Sequence, residues 1–198
     1  VGNYQSSRQY FYQLGGEKAV WIMLEKLAYL YSDTGRKEQA QFVFKQLLEH
    51  NPIAPKAFDY QYQIVTNFAT SKNQKVYRDE LYNWVDRYSV DSTWGRANAN
   101  NPKLIEDSNI LREMALRNYT LQLHRNAQNS QRKQDMHLVK EAYQLYLNKF
   151  TEGVKSTEMH FFYAELLFAL GDFDNAGKQY RIVAEKDPRG KYFQPCLL

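Results

Sequence analysis

The sequence predicts an all-α protein, a right-handed α-solenoid of about four stacked antiparallel helical hairpins, and three observations carry that reading. Residues 33–52, DTGRKEQAQFVFKQLLEHNP, and residues 169–188, ALGDFDNAGKQYRIVAEKDP, share one spaced pattern: Gly35, Ala40, Phe44 and Pro52 in the first, Gly171, Ala176, Tyr180 and Pro188 in the second. The two glycines lie 136 positions apart, which is four periods of a 34-residue helical repeat. The aromatic load, 16 Tyr and 11 Phe against 9 Gly and 5 Pro, suits helices packed through large side chains better than a turn-rich sheet protein.

Each element follows from local pattern. Ser6-Ser7 reads as the cap of a short helix over Arg8 to Leu14, ended by Gly15-Gly16 and expected to be the tail of an earlier hairpin. Val20, Trp21, Leu24, Leu27, Ala28 and Tyr31 recur at helical spacing up to the Gly35 turn, and Ala40, Val43, Phe44, Leu47 and Leu48 form a second stripe that Asn51-Pro52 stops. This is a hairpin over about 17–52. A second, about 55–89, carries Phe58, Tyr62, Val65 and Phe68, then TSKNQ, then Val76, Leu81, Trp84, Val85 and Tyr88. It lacks the turn glycine, the alanine and the closing proline.

Between the second and third hairpins lies SVDSTWGRANANN, residues 89–101, long for a helix connection. It either breaks the array or serves a purpose. The third hairpin, about 102–151, opens with a helix from about Pro102 to Asn126 whose inward side chains are expected to be Leu104, Leu111, Met114, Ala115 and Leu121. Its turn, NSQRKQ at 129–134, has no glycine; Val139, Ala142, Tyr143, Tyr146 and Phe150 follow. The fourth, about 156–188, places Met159, Tyr163, Leu166, Leu167 and Leu170 before Gly171, and Ala176, Tyr180, Val183 and Ala184 after it. Together they predict one helical-repeat domain over 1–198. A start without Met and an end just after Arg189-Gly190-Lys191-Tyr192 fit a piece of a longer chain, in which that last stretch begins a further helix.

The totals narrow the function. Net charge is +4, from 26 basic and 22 acidic residues, a mixed surface rather than a basic field. The single Cys196 rules out an internal disulfide and a cysteine-based zinc cage. No apolar run reaches the roughly 18 residues of a membrane span, and mean hydropathy is −0.69. There is no phosphate-binding glycine loop, no HExxH and no GxSxG, and His50, His124, His137 and His160 form no close pair. His160 sits in an apolar helix and reads as a packed imidazole. Glu106, Asp107 and Glu113 lie at helix-surface spacing, where the first two complement a helix N-terminus. No catalytic, metal or cofactor site is expected, and no small-molecule substrate.

The spaced Gly, Ala, aromatic and Pro positions resemble the tetratricopeptide repeat, a 34-residue helical hairpin. Alanine lets the paired helices approach, the aromatic fills the gap to the next hairpin, and glycine permits a left-handed turn. The resemblance implies a non-catalytic interaction scaffold that binds a peptide or partner protein along a concave groove built from first helices. Transferred position by position, the groove residues of the first hairpin are Ile22, Glu25, Tyr29, Ser32 and Asp33; of the second, Lys56, Asp59, Gln63 and Asn67; of the last, Glu158, Phe161, Glu165 and Phe168. Tyr29, Phe161 and Phe168 are the strongest contact candidates, since aromatics supply rigid area. The family's chaperone-binding variety clamps a terminal carboxylate with Lys and Asn where this chain has Glu25 and Tyr29, so that mode is not expected.

Residues 143–193 also resemble bacterial envelope repeat proteins, periplasmic and lipoprotein members that assist outer-membrane assembly, wall synthesis or gliding motility. The likeness departs at Phe150-Thr151, where the usual pair is Tyr-Pro. It implies a periplasmic or cell-envelope location and a membrane-associated complex, with the cytoplasm as the alternative. The competing functional reading is an RNA-associated helical-repeat protein using Arg112, Arg117, Arg125, Arg132 and Lys133 with Tyr119 and His124. These residues spread around a helix, so nucleic acid is not expected.

Overall fold

A computed structural model describes residues 2–69, 73–153 and 155–197. Among them are nine α-helices, one 3-10 turn and no strand: α1 (Gly2–Asp33), α2 (Lys37–His50), α3 (Ala57–Ala69), α4 (Gln74–Arg87), α5 (Thr93–Ala97), α6 (Pro102–Ser130), α7 (Lys133–Lys149), α8 (Ser156–Ala169), α9 (Phe173–Lys186) and the turn Gln194–Leu197. The chain divides into two compact units, residues 1–110 and 111–198.

The repeat glycines behave as the sequence requires. Gly35 and Gly171 take φ of +73° and +78°, a region that costs side-chain-bearing residues about 1–2 kcal/mol. In both turns the second and third residues after the helix return hydrogen bonds to its last turn. Gly35 N–H donates to Ser32 O at 3.1 Å and Arg36 N–H to Tyr31 O at 2.8 Å; Gly171 N–H donates to Phe168 O at 3.0 Å and Asp172 N–H to Leu167 O at 2.9 Å. This is the Schellman arrangement, and the two copies match bond for bond. Two alanines follow at the close-contact positions, Ala40 fully buried and Ala176 nearly so.

The third hairpin keeps the geometry without the glycine. Gln131 takes φ of +52° after α6, and its N–H donates to Ala127 O at 2.9 Å. Gln131→Gly is therefore expected to stabilise the protein by about 1 kcal/mol, relief of the side-chain strain exceeding the added chain entropy. Thermal unfolding followed by circular dichroism should show a midpoint a few degrees higher. An unchanged or lower midpoint contradicts the strain argument. The turn expected at TSKNQ lies, for residues 70–72, outside the described residues.

In the first unit Val20, Leu24, Ala28, Ala40, Val43, Phe44 and Leu47 form a core with Tyr60 and Ile64 of α3. α1 differs from expectation. It begins at Gly2 instead of Arg8, so Ser6 and Ser7 lie within it, and the break falls at Gly15-Gly16, where Gly16 has φ of +69°. Its early start has a tertiary cause: Tyr4 packs edge-on against Phe42 of α2 with ring centroids 5.0 Å apart. α3 turns Ala57, Tyr60, Ile64 and Val65 inward, while Phe58 and Tyr62 are half-buried beside Trp94 and Trp84, at 5.4 and 4.8 Å.

Residues 89–101 are organised, not a slack loop. Ser92 caps α5 by accepting from Gly95 N–H at 3.0 Å. Trp94 is buried, donating its indole N–H to Ala54 O at 2.8 Å, and Asn98 Nδ2 donates to Ile53 O at 3.0 Å. α5 thus ties the end of the second hairpin to the turn that precedes it.

α6 requires a correction. Its buried residues are Ser108, Arg112, Leu116, Tyr119, Thr120, His124 and Ala127, whereas Leu104, Leu111, Ala115 and Leu121 are half-buried and Met114 is exposed. The inward face carries polar groups, three of which are held by hydrogen bonds. Ser108 Oγ donates to Tyr88 O at 3.2 Å, Thr120 Oγ1 to Leu116 O at 2.8 Å, and His124 Nδ1 meets the Tyr143 hydroxyl at 2.7 Å. Arg112 lies over the Phe150 ring at 5.7 Å. The hydrogen-bonded Ser108, Thr120 and His124 lose most of their burial penalty.

Candidate protein-interaction site

In the first unit, Ile22, Glu25 and Tyr29 fall three and four residues apart and share one stripe of α1. Lys56 precedes α3, and Asp59 and Gln63 share one of its stripes. The structure brings most of these together. The Tyr29 hydroxyl donates to Asp59, and Lys56 Nζ donates to Glu25, which also hydrogen-bonds the Tyr60 hydroxyl. Burial, then the Asp59 carboxylate, pushes the Tyr29 phenol far above its ordinary value; burial, then Glu25, does the same for Tyr60. Both phenols therefore remain protonated donors. Tyr29 is half-buried, its ring edge-on to Phe44 at 5.2 Å, so it is part of the inter-hairpin joint. Gln63, Ser32 and Asn67 are half-buried, whereas Ile22 and Asp33, the last residue of α1, are exposed. A ligand on this face meets carboxylates already engaged by phenols and an ammonium.

In the second unit, Glu158, Phe161, Glu165 and Phe168 form one stripe of α8. Phe161 is half-buried and stacked under Tyr192 with centroids 4.5 Å apart at 23°. The Tyr192 hydroxyl donates to Glu158 at 2.7 Å, with Lys155 and Lys191 within 3.7 and 3.5 Å of the same carboxylate. Partial burial works to raise the Glu158 carboxyl, but the Tyr192 hydroxyl and the two lysines outweigh it and hold the group below its usual range. Glu165 accepts from the Tyr180 hydroxyl. Phe168 is the one aromatic among the expected contacts that stands open: it is 58% exposed, in edge contact at 5.1 Å with Phe173, itself 61% exposed.

Sequence reasoning missed Phe173 and Tyr192, and missed that Lys56 and Tyr60 close on Glu25. The available signal was spacing. Lys56 follows Glu25 by 31 positions and Tyr192 follows Glu158 by 34, about one repeat, the separation of equivalent positions in successive hairpins.

The other singled-out groups have structural partners. His160 is buried, and its Nδ1 meets Gln179 Oε1 at 2.7 Å, which assigns the proton to Nδ1; burial lowers its pKa. Burial likewise lowers His124. The basic set does not share a face: Arg112 and Tyr119 are buried, Arg117 pairs with Glu113 at 2.9 Å, Arg132 pairs with Asp135 at 2.9 Å, and Arg125 and Lys133 are exposed. Among the described residues no cluster of His, Cys, Asp or Glu is placed to hold a metal ion, and no helix is long and apolar enough to cross a membrane.

The family model for the tetratricopeptide repeat matches residues 23–53, the second arm of α1, the Gly35 turn and α2. That stretch is thus similar to a repeat whose members serve as protein-interaction modules. No curated protein matches the chain.

Proposed function

We propose that this protein is a non-catalytic scaffold that binds a peptide or partner protein on the first-helix faces of its hairpins. The observation that carries the reading is the exposed Phe168–Phe173 pair beside Glu165 on α8 and α9. Two large aromatic rings in contact with each other and with solvent are the kind of anchor from which a partner gains most binding energy. The tetratricopeptide match on 23–53 supports the same role. Tyr29, Glu25, Asp59 and Gln63 shape the face of the first unit, with Asp33 at its edge, and Phe161, Glu165 and Phe168 that of the second. The envelope-protein likeness of residues 143–193 supports a place in a bacterial envelope complex concerned with outer-membrane assembly, the wall or motility.

The test is affinity capture from the native cell's envelope and soluble fractions, with wild-type bait and Phe168→Ala/Phe173→Ala bait. Truncating two hot-spot aromatics costs about 2–4 kcal/mol of binding, so partners held by this face should drop at least ten-fold in yield. Equal recovery by both baits, at equal thermal stability, refutes the assignment of the face. Capture only from the soluble fraction refutes the envelope context.

A further inference from the structure

α7 and α9 both pack against α8, and the cleft the three helices leave is lined in a way the repeat does not demand. Lys140, Gln144 and Asn148 recur every four residues on α7, which puts them on one stripe. Asn175 and Gln179 recur likewise on α9. All five line one cleft of about 560 Å³, whose floor is Leu147, Tyr163 and Leu167. Both side walls therefore carry carboxamides.

We propose that this cleft is a second binding site, distinct from the first-helix faces, and that it takes an uncharged polypeptide segment in extended conformation, held through its main chain by Gln144, Asn148, Asn175 and Gln179. A carboxamide offers a donor and an acceptor together, the same pair that each peptide unit presents. Residues four apart on a helix are about 6 Å apart along its axis. Alternate residues of an extended chain are about 6.6–6.8 Å apart, so successive amides on a wall meet successive same-side peptide units.

Charge and burial select the ligand. Lys140 is neutralised by Asp172, Nζ to Oδ2 at 3.1 Å, and Asp172 also accepts from Asn175 Nδ2 at 2.8 Å. The one charged side chain of the lining is thus paired, and Asn175 Oδ1 also accepts from Lys178 Nζ at 3.2 Å. His160 lines the cleft and donates a hydrogen bond from Nδ1–H to Gln179 Oε1, leaving Nε2 as a neutral acceptor and the Gln179 amide N–H groups as donors. A sugar would need an open ring face, but Tyr163 is buried and stacked on Tyr143 at 5.4 Å and 22°. The cleft beside α2, α3 and α4 in the first unit is lined instead mainly by charged groups, Lys45, Glu49, Glu80 and Arg87, with a single carboxamide, Gln61. Neutral amide walls are thus a property of these particular residues.

The experiment selects binders from a phage-displayed library of random peptides on the full chain, then measures each selected peptide against three proteins: wild type, Asn148→Leu/Asn175→Leu and Phe168→Ala/Phe173→Ala. Asn148 and Asn175 are exposed, so the first variant should fold, which its thermal midpoint checks. A class of peptides should lose at least about ten-fold in affinity with the asparagine variant and nothing with the phenylalanine variant. Within that class, methylating main-chain nitrogens one at a time should abolish binding along a short run of consecutive residues, whose N–H groups face the two walls in turn, and spare the residues outside that run. The proposal is overturned if no selected peptide depends on the asparagines, or if no single main-chain N-methylation weakens binding. Displacement of the bound peptides by neutral oligosaccharides at comparable affinity overturns the peptide assignment in favour of a sugar. Failure of the phenylalanine variant to affect any peptide or cellular partner counts against the first-helix faces alone, so the two readings fail separately.

Discussion

Trp94→Ala is expected to destabilise the first unit by about 3–5 kcal/mol, the range for deleting a fully packed large aromatic. Trp94 is 2% exposed, in edge contact with Tyr88 at 5.5 Å and close to Phe58 at 5.4 Å. Its indole N–H satisfies Ala54 O, at 2.8 Å, in the turn between α2 and α3. Removing it opens a cavity and strands a carbonyl together, and those costs add. Trp94→Phe keeps most of the ring and loses only the donor, so about 1–2 kcal/mol is expected. The neighbour explains why the indole can reach: at Gly95 a Cβ would lie 2.2 Å from Ser89 O and 2.3 Å from Val90 O, backbone atoms that cannot step aside. Gly95→Ala should accordingly fail in the same way. Urea titration followed by tryptophan fluorescence is the measurement. Trp21, Trp84 and Trp94 all belong to the first unit, so emission reports that unit alone; Trp21 and Trp84 supply the signal in the variants. A loss below about 1 kcal/mol for Trp94→Ala would mean that α5 does not lock the hairpin.

Residues 89–101 mark where sequence reasoning stopped short. Hairpins were legible wherever side chain and backbone gave the same message: Gly35 and Gly171 at positive φ, and buried Ala40 and Ala176 between close helices. The Trp94 region gave conflicting messages. Asn, Ser and Gly mark turns, and nothing local says that a tryptophan among them folds back on Ala54, 40 positions earlier. α6 failed for the opposite reason. Its aliphatic residues are periodic enough to suggest a face, yet the buried stripe holds Ser108, Arg112, Thr120 and His124, whose partners come from other helices or from the preceding turn. Hydrophobic periodicity counts side chains one at a time, whereas burial of a polar group is decided by a partner far away in sequence.

The candidate site divides along the same line. Position within the repeat placed Glu25, Tyr29, Asp59, Phe161 and Phe168 on first helices. Repeat position says nothing about whether a residue is open, and the structure separates them on that point. Tyr29 and Phe161 are covered by Asp59 and Tyr192, while Phe168 faces solvent with Phe173. The separation has an electrostatic basis. Phenol-to-carboxylate bonds join Tyr29 to Asp59, Tyr146 to Glu113, Tyr180 to Glu165 and Tyr192 to Glu158. A carboxylate so engaged loses part of its capacity to meet a ligand.

The same tyrosines give the protein an expected alkaline limit. Burial pushes Tyr88 up to about 12 from an ordinary 10.0, slightly opposed by Arg87. Burial drives Tyr143 higher still, and burial with the Glu113 hydrogen bond does so for Tyr146. A phenol is neutral when protonated, so these folded pKa values lie above the unfolded one. Each contribution to stability is complete below pH 10 and declines above it, because the unfolded chain sheds its phenolic protons first. For Tyr88, 1% exposed, the raised value corresponds to roughly 3 kcal/mol, lost as pH rises from 10 to about 12. Raised phenols occur in both units, Tyr29 and Tyr88 in the first and Tyr143 and Tyr146 in the second, so each unit loses stability above pH 10. Helix circular dichroism and tyrosinate absorbance should therefore change together in a steep step above pH 10. Tyr88→Phe removes one of the coupled ionisations and should move the first unit's step, followed by tryptophan fluorescence, to higher pH. Smooth phenol titration with the helix signal intact beyond pH 12 would show that the buried hydroxyls ionise without unfolding.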